Sequence, residues 1–226
     1  MIKKYLEKIK TNICDTNLIK NDDILVEIKK CEQKLNICLP TPLKEMYIVF
    51  GNKNNVFNEY HIFYPLDDLR IVDGALVFFE LIDGYRKYGI LMEDLNEDDP
   101  VVSLEEENDD EWCFESESLS EYILNNIFWN SLNLMKFKAK IKIKEQNLEK
   151  YLKNNLYRLS SEPQFDVANK YSYYDKDEKI MATYFYYDQL LVLGSNDKRS
   201  LQQLEESMNC KFIWIERKIT NDDIFN

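Results

Sequence analysis

The residue types that could carry chemistry in this 226-residue chain are unevenly supplied: one histidine, five cysteines and 41 carboxylates. A Ser-His-Asp or Cys-His arrangement needs an imidazole beside its nucleophile, and His61, between Tyr60 and Ile62 in a strand-like run, is the one imidazole available. That setting reads as a strand residue with its hydrogen bond met rather than as a catalytic base. Zinc needs clustered Cys and His. Cys14, Cys31, Cys38, Cys113 and Cys210 form no C-x-x-C pair and read as mostly buried thiols of a reducing cytosol. Hard oxygen ligands for calcium abound between Glu93 and Asp110. Neither that segment nor Asp175-Lys176-Asp177-Glu178, however, has the alternate acids, turn glycine and bidentate Glu of an EF-hand. Nothing selects two carboxylates as a glycosidase pair, and no glycine-rich loop could cradle a phosphate. The expectation is a protein with no catalytic residues, no metal and no cofactor.

What remains is the charge. The formal net charge of -12 repels phosphate backbones and anionic lipid, which excludes direct nucleic-acid and membrane binding and favours a cationic partner. Met1 to Leu134 holds 13 Lys+Arg against 27 Asp+Glu, whereas Met135 to Asn226 holds 16 against 14. Leu91 to Glu121 carries fourteen acids and no base, so nothing local neutralises them. The candidate partner-binding residues are Glu93, Asp94, Asp98, Asp99, Glu105, Glu106, Glu107, Asp109, Asp110 and Trp112. One reading is a solvated face that keeps the protein soluble. The other is a surface that imitates phosphates to a basic protein and steers its encounter. In a third, Lys136 to Lys144 lie across the acids and mute them. Trp112 fills the core behind a sheet or anchors a partner.

Positioning these residues requires elements that the periodicity predicts. Ile24, Ile28, Cys31 and Leu35 fall at helical spacing and predict a helix from about Asp22 to Lys34. Thr41 offers a cap oxygen and Pro42 suits a first turn, so a second helix is expected to run to Phe50 and stop at Gly51. Strands are expected at Glu59–Tyr64, Ala75–Leu81, Arg86–Leu91, Val101–Leu104 and Glu111–Phe114. Ser118-Leu119-Ser120-Glu121 is a capping box opening a helix to about Asn130. At the N-terminus, charges interrupt every apolar pair, which argues against a signal peptide, and no apolar run is of membrane-spanning length.

After Leu134 the texture changes. Phe137, Ala139, Ile141 and Ile143 alternate with lysines, a strand with one face inward and a lysine row outward, read as protection of a sheet edge. A helix over Glu145–Leu156, strands at Gln164–Tyr174 and Lys179–Leu193, a helix over Asp197–Met208 and a strand at Lys211–Glu216 give β-α-β-β-α-β. That is the order of a ferredoxin-like split unit, or of an extension of the first sheet. One face of Tyr184-Phe185-Tyr186-Tyr187 is a second candidate partner patch.

The opening Cys31-Glu32-Gln33-Lys34-Leu35-Asn36-Ile37-Cys38-Leu39-Pro40, followed by Phe50-Gly51-Asn52, short strands, Glu111-Trp112 and the capped helix, resembles the SUKH superfamily of Smi/Knr-like domains. The resemblance covers about half the chain, from Asn21 to Trp129. It implies an α+β fold over residues 1–134, a SUKH-like sheet flanked by helices, with residues 135–226 an appended α/β unit. It further implies a non-catalytic cytosolic immunity protein that neutralises a cognate toxin, often a nuclease. A regulatory scaffold of the fungal type is the alternative, and a carboxylate hydrolase a distant third.

Overall fold

Short apolar runs between His61 and Ser116 build an antiparallel sheet of six strands: β1 (His61–Phe63), β2 (Arg70–Val72), β3 (Ala75–Leu81), β4 (Arg86–Leu91), β5 (Val102–Glu106) and β6 (Cys113–Ser116). Its order is β1-β3-β4-β5-β6, with β2 also paired to β3. The computed structural model describes residues 2–13, 21–82, 84–106, 111–144, 147–148, 152, 155–159, 170–216 and 219, with the backbone alone for 21, 22 and 106. The chain divides into two compact units, Met1–Asn130 and Ser131–Asn226.

In the first unit, α1 (Lys3–Asn12) and α2 (Asn21–Leu35) pack against α3 (Thr41–Phe50), and α4 (Leu119–Leu134) follows the sheet. Directly opposed residues of antiparallel strands share a face, so the register separates two faces. Phe63, Phe79 and Tyr88 lie on one, while Val77, Gly89, Ser103 and Phe114, with Glu80, Lys87 and Glu105, lie on the other. Tyr47 of α3 and Tyr122 of α4 close on the first face through a chain of aromatic contacts. Tyr47 meets Phe57 at 6.0 Å, Phe57 meets Phe63 at 5.9 Å, Phe63 meets Phe79 at 4.8 Å and Phe79 meets Tyr122 at 5.4 Å. Burying each such ring contributes about 1.5–3 kcal/mol, which makes this face the core of the unit.

The helix ends differ from expectation in instructive ways. Gly51 stops α3 at φ 82°, a conformation that costs glycine little, as the sequence predicts. Thr41 is already helical and Pro40 occupies the cap position with no side-chain cap bond. The helix α1 has no counterpart in the sequence reading. Its Leu6 and Ile9 are fully buried, and the N–H groups of Ile2 and Lys3 donate to Glu45 Oε2 of α3 at 2.8 and 2.9 Å. A carboxylate from another helix thus satisfies donors that the first turn leaves open.

The second unit is also a six-stranded antiparallel sheet, made of β7 (Phe137–Lys142), β8 (Leu156–Arg158), β9 (Lys170–Asp175), β10 (Ile180–Phe185), β11 (Leu190–Ser195) and β12 (Ile213–Ile215), with α5 (Lys198–Ser207) before the last strand. The order β12-β7-β11-β10-β9-β8 differs from the expected split unit, since the strand expected at Gln164–Tyr174 is β9, which pairs with β8 and β10, and β10 and β11 together replace the expected third strand. Leu201 and Leu204 of α5 pack on Ala139, Tyr184, Leu191 and Leu193. Asp197 caps α5, its Oδ1 accepting from Arg199 N at 3.0 Å, and that bond holds its carboxyl below the usual range.

Three expectations are corrected here. The single strand Lys179–Leu193 is a hairpin, β10 and β11. The lysine strand β7 is not an edge, since it pairs with β11 on one side and β12 on the other. Nor do all its lysines point outward: Lys138 is buried, its Nζ donating to the carbonyls of Asn133 at 3.2 Å and Met135 at 2.8 Å, where α4 ends and a cation is favoured. Residues 164–169 of another expected strand lie outside the described residues. So does most of the helix expected over 145–156, of which Asn147, Leu148 and Leu152 are helical and Leu156 opens β8.

Candidate functional site

The connection from β4 to β5 contains the first group of candidate acids, and it is held at both ends. Met92 N donates to Gly74 O at 2.9 Å, Leu95 is buried, and Leu119 N donates to Pro100 O at 2.9 Å. Asp99 then serves the helix: its Oδ1 accepts from Ser120 N and its Oδ2 from the Ser118 hydroxyl, both at 2.7 Å. Ser118 Oγ in turn accepts from Glu121 N at 3.2 Å, the cap read from the sequence, with Asp99 as a partner that local sequence did not indicate. Asp99 therefore belongs to the scaffold. Glu93, Glu97 and Asp98 are exposed and Asp94 is half-buried, and among the described residues none of the four has an ion pair.

Beside this loop lies an open groove of about 590 Å³ lined by residues of the α2 end and the loop, among them Lys29, Asn36, Cys38, Met92, Leu95 and Asn96. Glu32 also lines it, but its Oε1 accepts from Leu39 N at 2.9 Å and faces Lys44 Nζ at 3.4 Å. That bond explains why a glutamate seven residues before Leu39-Pro40 matters locally: it folds the chain leaving α2 back toward α3. Asn52 has a similar part, its Oδ1 accepting from Leu66 N at 2.6 Å.

The second group of acids departs from expectation. Glu105 is buried and forms an ion pair with Lys87 at 2.8 Å, the residue opposite it on β4. A base eighteen residues away in sequence neutralises it, so the statement that nothing compensates the acids fails for Glu105. Arg86 stands opposite Glu106 in the same register. The side chain of Glu106, and Glu107, Asp109 and Asp110 entirely, lie outside the described residues. Glu97 on the loop after β4, and Glu111 and Glu117 flanking β6, are exposed and were absent from the candidate set.

Trp112 is half-buried, and its ring lies over Gly89. A Cβ at that glycine would stand 3.0 Å from Trp112 Cη2 and 3.2 Å from the Ala75 Cβ. The indole thus fills the slot of a missing side chain, on the face that also carries Phe114. Phe114 is 59% exposed and was missed, since strand periodicity marks a face without saying which face is covered. The tyrosine run is corrected as well: Tyr184 and Phe185 are buried and Tyr186 half-buried, which leaves Tyr187 in the hairpin turn as its exposed ring.

His61 is buried in β1, its ring 5.2 Å from that of Phe79, among core rings. Burial pushes the Cys31 and Cys210 thiols up, away from the nucleophilic thiolate. Among the described residues no cluster of His, Cys, Asp or Glu is placed to hold a metal ion, and no helix is long and apolar enough to cross a membrane. No protein-family model, curated protein or solved structure matches the chain. What the loop offers chemically is Glu93, Glu97 and Asp98, exposed and without ion pairs among the described residues, on a pinned segment beside a groove.

Proposed function

We propose that this chain is a cytosolic, non-catalytic immunity protein that binds and neutralises a basic protein toxin through the acids of the loop after β4. One observation carries the reading: Glu93, Glu97 and Asp98 are exposed, without ion pairs among the described residues, on a loop whose end is fixed by Asp99 at the start of α4. Fixed charge costs little to present and attracts a cationic partner over distances near the Debye length, about 8 Å at physiological salt. The Glu32 to Leu39 tie gives the opening motif of the SUKH resemblance a definite mechanical role, which supports the resemblance.

The test is coexpression with any toxin-like reading frame that neighbours this gene. Cells expressing the wild-type chain are expected to survive, and cells expressing the chain with Glu93, Asp94, Glu97 and Asp98 changed to Lys to die. If the unmutated chain neither binds nor protects, the immunity reading fails and a regulatory scaffold replaces it.

A further inference from the structure

The groove beside the loop after β4 is built at the C-terminal end of α2, where the helix dipole is negative and a cation is favoured. Asn36 leaves the helix at φ 54° and Ile37 N donates to Glu32 O at 3.1 Å, which closes the last turn in a fixed shape. Glu32 adds a full charge to that end. Its Oε1 accepts from Leu39 N and faces Lys44 Nζ at 3.4 Å, whereas its Oε2 has no bond among the described residues, although the side chain is only 20% exposed. Asn36 and Asn96, one from each wall, likewise have side-chain amides without a hydrogen bond among the described residues. Met92 and Leu95 add apolar surface to the loop wall. Lys29 is the base among the lining residues, and Glu93, Asp94, Glu97 and Asp98 are interspersed with Met92, Leu95 and Asn96 along the loop. A volume of about 590 Å³ accommodates one long side chain.

We propose that this groove receives an arginine side chain of the basic partner. A guanidinium presents several N–H donors in one plane, which suits acceptors of different kinds spread over two walls, with Glu32 Oε2 the charged one among them. The aliphatic stem of the arginine covers Met92 and Leu95. The loop acids outnumber Lys29 and Lys44 and draw the cation toward the groove. The inference deepens the immunity reading: it rests on that reading for a basic partner, and it names the residue type that the partner inserts and the place that holds it.

The probe is a blocked Gly-Arg-Gly tripeptide, compared with the same tripeptide carrying lysine or citrulline, the uncharged isostere of arginine. Added at millimolar concentration to the full chain, the arginine peptide is expected to shift the side-chain amide NMR signals of Asn36 and Asn96 saturably, the lysine peptide more weakly and the citrulline peptide not at all. Glu32→Gln keeps an oxygen for Leu39 N and removes the charge, so it should weaken the arginine peptide roughly five-fold or more. Lys29→Ala, which removes a like charge from the groove, should tighten it. Three results overturn the inference: no saturable shift at these amides, equal binding of the lysine or citrulline peptide, or wild-type affinity in either variant. A toxin whose association falls on reversal of the loop acids but not on Glu32→Gln would leave the immunity reading standing and remove the groove from it. Arginine binding by a chain that protects against no toxin would keep the groove and remove the toxin.

Discussion

The side-chain amide of Asn130 grips the backbone of His61 on both sides. Its Nδ2 donates to His61 O at 2.7 Å, and its Oδ1 accepts from His61 N at 2.9 Å, so a helix residue completes the pairing of β1 as a neighbouring strand would. The same amide donates to Val56 O at 2.6 Å and accepts from Tyr60 N at 3.2 Å. Asn130 is fully buried, so these groups have no access to water if it is removed. Asn130→Ala should therefore destabilise the first unit by about 3 kcal/mol or more, read by urea unfolding. A loss below about 1 kcal/mol would show that the segment from Val56 to His61 re-forms its bonds elsewhere.

Glu32 makes a sharper distinction between charge and hydrogen bonding. Gln at position 32 keeps an oxygen for Leu39 N, whereas Ala does not. Glu32→Ala should cost about 1–2 kcal/mol and Glu32→Gln much less, measured by the same unfolding. Equal losses would mean that the 3.4 Å approach to Lys44, and not the Leu39 tie, carries the effect.

Gly89 and Trp112 should prove coupled. Gly89→Ala places a methyl at 3.0 Å from the indole, which must shift, at an expected cost of about 1–3 kcal/mol. Trp112→Leu should remove most of that penalty in a double-mutant cycle. Additive losses would place the indole elsewhere.

Alkaline pH should weaken the first unit through its tyrosines. Burial, and then the hydrogen bond to Glu80, push the Tyr64 phenol up to about 12, and burial pushes Tyr47 well above its usual range. In the unfolded chain both titrate near 10. Below pH 10 both states hold the proton and the contribution is complete. Between about 10 and 12 the unfolded chain releases protons that the native state keeps, so stability falls as pH rises. Tyr64→Phe should flatten the fall in that window, and an unchanged slope would count against the assignment.

Much of this architecture was legible because it is local. The spacing of Ile24, Ile28 and Cys31 locates α2, and the runs Ala75–Leu81 and Arg86–Leu91 are the observed β3 and β4. The failures are non-local or lack punctuation. The turn between β10 and β11 is Tyr186-Tyr187-Asp188-Gln189, without glycine, proline or asparagine, and Gln189 adopts φ 52° unannounced. The pairing of buried Glu105 with Lys87 and the cap made by Asp99 depend on which strands and loops meet, which charge counting along the chain does not reveal. Lys138 reads as surface and is buried because the end of α4 supplies carbonyls for it.

The association rate with the basic toxin that the proposal requires tests the central claim most directly. The variant should reverse Glu93, Asp94, Glu97 and Asp98 to Lys while keeping Asp99 and Glu105, whose bonds hold the fold. The account predicts a fall in association rate of roughly ten-fold or more at low salt, a flattened salt dependence, and a smaller change in dissociation. A folded variant that associates at the wild-type rate with the wild-type salt dependence would contradict it.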